Sequence, residues 1–160
     1  MGDEAMVQIQ EMLREDFVID DLKSRTKKEV LAELCDAFLR HEMSINRESM
    51  ISVLMEREKL GSTGIGDGIA IPHGKMEGLN SLVVSFGRSN AGVDFDSLDG
   101  GPVHIFFLLM APENSAGQHL KALAKISRML KDVSFRESLL AAESSEKIYD
   151  LIVEKDGSYM

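Results

Sequence analysis

The sequence predicts a single α/β or α+β domain in which helices cover a β-sheet. Segments with helical spacing of apolar residues alternate along the chain with short apolar runs of strand length. One of these runs, residues 103–110, is almost entirely apolar, which is typical of a central strand covered on both faces. The 160 residues are a usual size for one domain. No internal repeat or domain boundary is evident.

The helices are predicted from capping residues that precede apolar residues at helical spacing. The second helix should end near residues 56–58, and a long amphipathic helix should follow a loop at 112–117 and run to about residue 131. Residues 6–13 form a candidate short helix. The capping residues are, in order, Thr26 with Glu29, Asn46, Ser134 with Glu137, and Ser144.

The strands are predicted from short apolar runs that end at turn residues. Residues 89–92 are turn-like and should separate two of these strands. The candidate strands cover residues 17–19, 69–71, 82–87 and 103–110.

Composition excludes several classes of protein. The net charge of −9 argues against a protein that binds nucleic acid or an anionic membrane through a basic face. No apolar run approaches the length of a membrane span, and the first residues lack the apolar core of a signal peptide. Cys35 is the sole cysteine, which fits a reducing cytosol. We therefore expect a cytoplasmic protein, with Cys35 as a small buried hydrophobe.

The most informative stretch is residues 61–75, which read Gly-Ser-Thr-Gly-Ile-Gly-Asp-Gly-Ile-Ala-Ile-Pro-His-Gly-Lys. A glycine-rich loop lets backbone approach a ligand closely. The short apolar run behind it should be a strand that ends at Pro72. His73 follows, and Gly74 adds no bulk beside it. An imidazole in this position can serve as a nucleophile, an acid/base group or a metal ligand.

Known nucleotide and metal patterns fit this stretch poorly. Ile69 occupies a position where both the dinucleotide fingerprint and the Walker pattern need glycine, and Met76 replaces the Ser or Thr of the latter. A zinc hydrolase using His73 and His119 lacks a third ligand at a recognisable spacing. The aspartates near residues 94–99 do not complete a calcium loop, so we interpret them as a solvated turn.

The stretch resembles a known family. The run Ser-Thr-Gly-Ile-Gly-x-Gly-Ile-Ala-Ile-Pro-His-Gly-Lys is similar to that of phosphotransferase-system (PTS) EIIA domains, type 2, of the fructose–mannitol kind, and closest to the nitrogen-regulatory (PtsN-like) branch. The resemblance extends upstream to Arg-Glu-Lys-Leu-Gly at 57–61. Downstream it includes Asp-Phe-Asp at 94–96 and His-Leu at 119–120. It covers residues 6–154, with 1–5 and 157–160 expected to be flexible termini.

The resemblance implies a mixed sheet of about five strands flanked by helices on both faces. It also implies phosphoryl transfer from the phosphohistidine of an HPr-like carrier to His73, with no metal and no cofactor. Arg57 and His119 would assist; from sequence alone Arg57 would be taken as an ordinary surface arginine and His119 as an exposed or capping histidine. Backbone and hydroxyl groups of the loop would support the phosphate. These support residues are Ser62, Thr63, Gly64 and Gly74.

Three functions remain open at this point. The phosphorylated domain could regulate a partner protein, or it could pass phosphate to a IIB domain of a sugar transporter. The third, of another class, is an anion-binding module without turnover. The oligomeric state is not predicted. His104 departs from the acidic residue usual in the nitrogen branch, and we expect it to be a partly buried, hydrogen-bonded side chain.

Overall fold

The computed structural model describes residues 7–40 and 45–159, so His41, expected at the surface or a helix end, lies outside the described residues. Its regular elements alternate as the sequence predicted. In chain order they are a 3-10 helix at Ile9–Glu11, β1 (Leu13–Ile19), α1 (Lys27–Leu39), α2 (Arg47–Lys59), β2 (Gly64–Gly66), β3 (Ile69–Ala70), β4 (His73–Met76), β5 (Val83–Val93), β6 (Val103–Pro112), α3 (Ala116–Leu130), α4 (Val133–Ala141) and α5 (Ser145–Gly157).

The strands form one mixed sheet with the order β1-β5-β6-β3-β2. β5 and β6 are antiparallel and occupy the centre, while β1 runs parallel to β5. β3 and β4 both pair in parallel with β6, and β2 returns antiparallel to β3. The described residues give six strands where about five were expected. The extra count arises because residues 64–76 are divided into three short strands, the last two of them separated by Pro72.

Helices cover both faces of the sheet, as adjacent residues of β5 demonstrate. A Cβ on Gly87 would lie 2.8 Å from side-chain atoms of both Leu22 and Leu34, so α1 packs directly on this face. The next side chain, Arg88, points to the opposite face because strand residues alternate. There its Nη1 donates to the carbonyls of Leu139 and Ala142 at 2.9 and 2.6 Å. The end of α4 therefore lies across the sheet from α1.

The predicted central strand is confirmed. β6 begins at Val103, and apart from the half-buried His104 its residues are all buried. Its side chains supply much of the core on both faces, including two edge-to-face aromatic pairs, Phe86 with Phe107 and Phe95 with Phe106. Cys35 is also buried, and burial raises the pKa of its thiol to about 12. No helix in the described residues is both long and apolar enough to span a bilayer.

Most predicted helix starts are confirmed by capping geometry. The side chains of Thr26, Asn46 and Ser144 each accept a hydrogen bond from the backbone N–H three residues later. The start predicted at Ser134 is wrong. Asp132 is the cap of α4, since its carboxylate accepts from Phe135 N at 3.3 Å. The same carboxylate binds Lys155 Nζ at 2.6 Å, which fixes it in place.

Two other local expectations also need correction. Residues 6–13 were expected to be a short helix, but the 3-10 helix covers Ile9–Glu11 alone and Leu13 already belongs to β1, where it aligns with Val84. Residues 89–92 were expected to be a turn between strands. They lie within β5, where the register with β6 breaks and Gly92 adopts a φ of 89°. Residues 89–92 thus interrupt the pairing between β5 and β6 without ending β5.

The last helix extends beyond residue 154. Helix α5 continues to Gly157, and Tyr159 packs against the core. The guanidinium of Arg128, on α3, lies 4.7 Å from the centre of the Tyr159 ring. These contacts join the C-terminus to α3.

We predict that Arg88→Met lowers the free energy of unfolding by about 2–4 kcal/mol, because it leaves buried carbonyls without their charged donor. Arg88 is 6% exposed and also donates from Nε to Asp20 O at 2.9 Å. Urea denaturation monitored by circular dichroism measures the change. Arg25→Met, which alters an exposed arginine, is the control and should change stability by less than about 0.5 kcal/mol. Equal stabilities of the two variants would contradict this account.

Candidate functional site

The central strand β6 holds the backbone of His73. Leu109 N donates to Pro72 O at 2.9 Å, and His73 itself aligns with Leu109 as the first residue of β4. Pro72 lacks an N–H and interrupts the strand between β3 and β4. The two short strands therefore pair separately with β6. His73 is therefore fixed at a strand start, supported by the most buried strand of the sheet.

The imidazole of His73 has a defined tautomer. Its Nδ1 lies 2.8 Å from the carbonyl oxygen of Ile71. A carbonyl only accepts, so a neutral ring donates from Nδ1–H and keeps the lone pair on Nε2. Burial lowers the pKa of His73; the hydrogen bond to Ile71 opposes this, and the charge of Arg57 adds to it. The ring is consequently neutral at pH 7, with Nε2 as its nucleophilic nitrogen.

His119 lies in the first turn of α3, as predicted, but it is buried rather than exposed, with 7% of its surface accessible. Its ring meets that of His73 edge to face, with centroids 5.6 Å apart and an interplanar angle of 76°. Burial lowers its pKa, and the nearby His73 and Lys75 lower it further. The buried Nε2 has no hydrogen-bond partner among the described residues. Two neutral imidazoles thus share one site.

The two rings open into a cleft of about 680 Å³, called here the His73 cleft. Two cationic side chains, two carboxylates and an apolar rim surround it. Leu60 and Leu120 at the rim are 84% and 67% exposed, a high exposure for leucine side chains beside a polar site. The lining residues are Val53, Glu56, Arg57, Leu60, His73, Gly74, Lys75, Glu113, Ala116, His119, Leu120 and Leu123.

Arg57 reaches the cleft from the last turn of α2. Its Nη1 donates to Gly61 O at 2.9 Å. Its charge lowers the pKa of His73. The remaining donors of the guanidinium form a planar fork suited to phosphate oxygens.

Gly74 allows α2 to lie against β4. A Cβ on Gly74 would come within 2.7 Å of Val53 Cγ1, closer than real side chains pack. Any larger residue would push α2, which carries Arg57, away from the strand that carries His73. Gly74 thus shapes the cleft through close packing.

The other expected support residues do not line the cleft. The hydroxyl of Ser62 donates to Phe95 O at 2.8 Å and accepts from Gly64 N at 3.0 Å. Thr63 is 4% exposed, and its hydroxyl donates to the carboxylate of Glu58. The structure therefore brings together four of the seven expected residues, namely Arg57, His73, Gly74 and His119. The other three, Ser62, Thr63 and Gly64, form hydrogen bonds elsewhere in the protein.

His104 lies outside the His73 cleft, in β6. Its Nδ1 is 2.7 Å from Ser89 O, which fits the expected hydrogen-bonded, partly buried role. Three further cleft residues, Lys75, Leu60 and Leu120, were not expected at the site. For the two leucines a signal was present in the sequence, since Leu60 lies next to the glycine-rich loop and Leu120 next to His119.

The chain is similar to known proteins over most of its length. The family described as "Phosphoenolpyruvate-dependent sugar phosphotransferase system, EIIA 2" matches residues 11–155. A nitrogen regulatory protein of Bradyrhizobium diazoefficiens is 39% identical over 90% of this chain and 94% of its own length. A fructose-specific EIIABC component of Bacillus subtilis is 36% identical over 94% of this chain, but only 24% of its own length is matched.

Solved structures give the same result. Nitrogen regulatory protein IIA-Ntr from Neisseria meningitidis has a TM-score of 0.83 and 37% identity, with 90% of this chain and 98% of that one covered. The IIA mannitol protein of Escherichia coli, at 22% identity, shares the fold with a TM-score of 0.72, over 87% of this chain and 97% of its own. On the extent of these matches, the chain belongs to the type 2 EIIA family of the phosphoenolpyruvate-dependent sugar phosphotransferase system.

Proposed function

We propose that Nε2 of His73 accepts a phosphoryl group from the phosphohistidine of an HPr-like carrier protein. The observation that carries this proposal is the hydrogen bond from Nδ1 to Ile71 O, which leaves the lone pair on Nε2 in a ring lining the His73 cleft. In the transfer a bond forms between Nε2 and phosphorus while the bond from phosphorus to the carrier's nitrogen breaks. Its electron pair returns to the carrier imidazole.

The cleft supplies positioning and charge, which are what phosphoryl transfer needs most. Arg57 offers a charge-assisted fork for the phosphoryl oxygens. His119 lies in the first turn of α3, where the helix N-terminus favours an anion. Lys75 adds a second cationic side chain to the lining. The donors that stabilise the transferred group therefore come from three elements, α2, β4 and α3.

The apolar rim is suited to a protein substrate. Leu60 and Leu120 are well exposed on either side of the cleft, whereas a site for a small phosphorylated molecule has no need of exposed leucines. The phosphoryl donor would bury these side chains while its phosphohistidine enters between them.

We further propose that the phosphorylation state of His73 regulates a partner protein. Support comes from nitrogen regulatory proteins matched over nearly their whole length, that of Pseudomonas aeruginosa being 34% identical over 97% of its own chain. A second candidate, transfer to a IIB domain of a sugar transporter, is favoured by the 36% identity to the Bacillus subtilis fructose-specific component.

We predict that His73 is the sole phosphorylated residue. Wild-type protein incubated with phosphoenolpyruvate, the first enzyme of the system and an HPr-like carrier should gain one phosphoryl mass, and His73→Ala should gain none. His104→Gln is the matched control, because it changes a histidine outside the cleft, and it should be labelled fully. Intact mass spectrometry at alkaline pH preserves the phosphoramidate. A phosphoryl mass on His73→Ala would refute the assignment.

Arg57→Ala and His119→Ala should each slow the transfer about a hundredfold, by analogy with the loss of one donor from an oxyanion hole. Neither change should remove the acceptor, so both variants should still reach one phosphate per chain. Rapid-quench labelling measures the rate, and Arg25→Ala serves as the control for a lost surface arginine. Either residue would be excluded from the site by a folded variant that transfers at the wild-type rate.

The regulatory proposal predicts state-dependent binding. A phosphoryl group adds about 1.5 to 2 negative charges at pH 7, so a partner interface built around neutral His73 would face a costly unpaired charge. Affinity for the regulated target should change at least about tenfold between the two forms. Titration of purified candidate targets with phosphorylated protein, unphosphorylated protein and His73→Ala tests this. Rapid phosphate transfer to a IIB domain, with equal binding of targets in both states, would favour the transport function instead.

A further inference from the structure

The carboxylate of Glu58 lies behind the His73 cleft and is almost completely buried, with 3% of its side chain exposed. It accepts from Thr63 N at 3.1 Å and from the hydroxyl of Thr63. Its charge is balanced by Lys27, whose Nζ lies 3.1 Å away. A buried carboxylate is costly unless it is paired and hydrogen-bonded, and here both conditions are met.

Thr63 connects this carboxylate to His73 through the backbone. Thr63 O accepts from Ile71 N at 3.1 Å. On the other side of the same residue, Ile71 O accepts from Nδ1 of His73 at 2.8 Å. Hydrogen bonds therefore link Glu58 to Thr63, Thr63 to Ile71 and Ile71 to the imidazole, with the backbone of Thr63 and of Ile71 joining one bond to the next.

We propose that Glu58 and Thr63 are positioning residues that hold the Ile71 carbonyl against Nδ1 of His73 and so keep the lone pair on Nε2. This inference rests on the proposed function, and it assigns Thr63 a role behind the imidazole instead of at the phosphate. The two residues are called here the Glu58–Thr63 clamp.

Three features of the clamp support this role. Its hydrogen bonds are charge-assisted, which makes them about twice as strong as neutral ones. Glu58 belongs to α2, the helix that carries Arg57, so the clamp also joins the arginine's helix to the loop before His73. Ile71 falls between β3 and β4, where its N–H bonds to the Thr63 carbonyl, so Thr63 restrains the Ala70–Ile71 peptide directly before the peptide that presents the Ile71 carbonyl to His73.

Tautomers can be measured without phosphorylation. Nitrogen-15 spectra of the histidine side chains distinguish Nδ1–H from Nε2–H, and at about pH 8 the ring of His73 is neutral. Wild-type protein should hold His73 mainly as Nδ1–H. Thr63→Val, which loses the hydroxyl but keeps the shape, should shift the tautomer ratio toward Nε2–H by about tenfold, the factor expected for one lost hydrogen bond to a charged group. Thr63→Ser, which keeps the hydroxyl, should match wild type.

The transfer rate should follow the tautomer. Only the Nδ1–H form has a lone pair on Nε2, so the rate of phosphorylation should fall in the same proportion as the fraction of His73 in that form. A purely structural role would lower the melting temperature without this proportionality. Glu58→Gln provides a second variant should Thr63→Val not fold. Its control is Asp96→Asn, which removes the other carboxylate on Lys27, at 3.4 Å, and should leave both measurements unchanged.

Two results would overturn the proposal. One is a folded Thr63→Val or Glu58→Gln protein with the wild-type tautomer ratio and rate. The other is a slower transfer with an unchanged tautomer ratio, which would place the Thr63 hydroxyl at the phosphoryl group. A wild-type protein that is never phosphorylated would refute the proposed function, while the tautomer ratios would still decide whether the clamp exists.

Discussion

The hydrogen bond between Nδ1 of His73 and the carbonyl of Ile71 is the interaction around which the site is built. It leaves the lone pair on Nε2, and both residues are held in place, His73 by its pairing with β6 and Ile71 by its bond to Thr63. Pro72 lies between them, lacks a donor of its own and presents its carbonyl to Leu109. A flexible loop would have let the ring rotate, whereas a strand start attached to β6 fixes the direction of the side chain.

Burial and the charge of Arg57 act on the pKa of His73 in the same direction. Both lower this pKa, while the bond to Ile71 and the charge of Glu58 raise it. A neutral ring suits nucleophilic attack, and the charge of Arg57 that disfavours imidazolium would favour an anionic phosphoryl group. In the proposed function this charge is in place before the group arrives, which is the advantage of a preorganised polar site.

Much of this arrangement could be predicted from the sequence. The apolar run of β6 and the caps at Thr26, Asn46 and Ser144 are local signals, and local structure followed them. His73, His119 and Arg57 were indicated by a long ordered resemblance rather than by composition or spacing, and the fold brings them to one cleft. Ser134 shows the limit of a local pattern. Its spacing to Glu137 fits a capping box, but the contact between Asp132 and Lys155 is tertiary and prevails.

The loop residues show why the finer site could not be predicted. A hydroxyl in a glycine-rich loop can point toward a ligand or back into the protein, and the sequence is the same in both cases. Here Ser62 and Thr63 turn inward, toward Phe95 O and the Glu58 carboxylate. The decision depends on Lys27, which is distant in sequence and makes a buried carboxylate tolerable behind the loop. An ion pair between residues that are distant in sequence produces no periodic pattern from which it could be predicted.

The buried Nε2 of His119 affects the stability of the folded domain. Within the described residues this buried nitrogen has no hydrogen-bond partner, and such a group costs about 1–3 kcal/mol. The fold tolerates the cost because β6, α1 and the helices on the opposite face contribute an extensive core that does not depend on the cleft. A lowered pKa leaves His119 neutral, so its ring carries one N–H and can donate one hydrogen bond. In the proposed function this neutral donor adds to the charge-assisted donors of Arg57, which supply most of the attraction for a phosphoryl group.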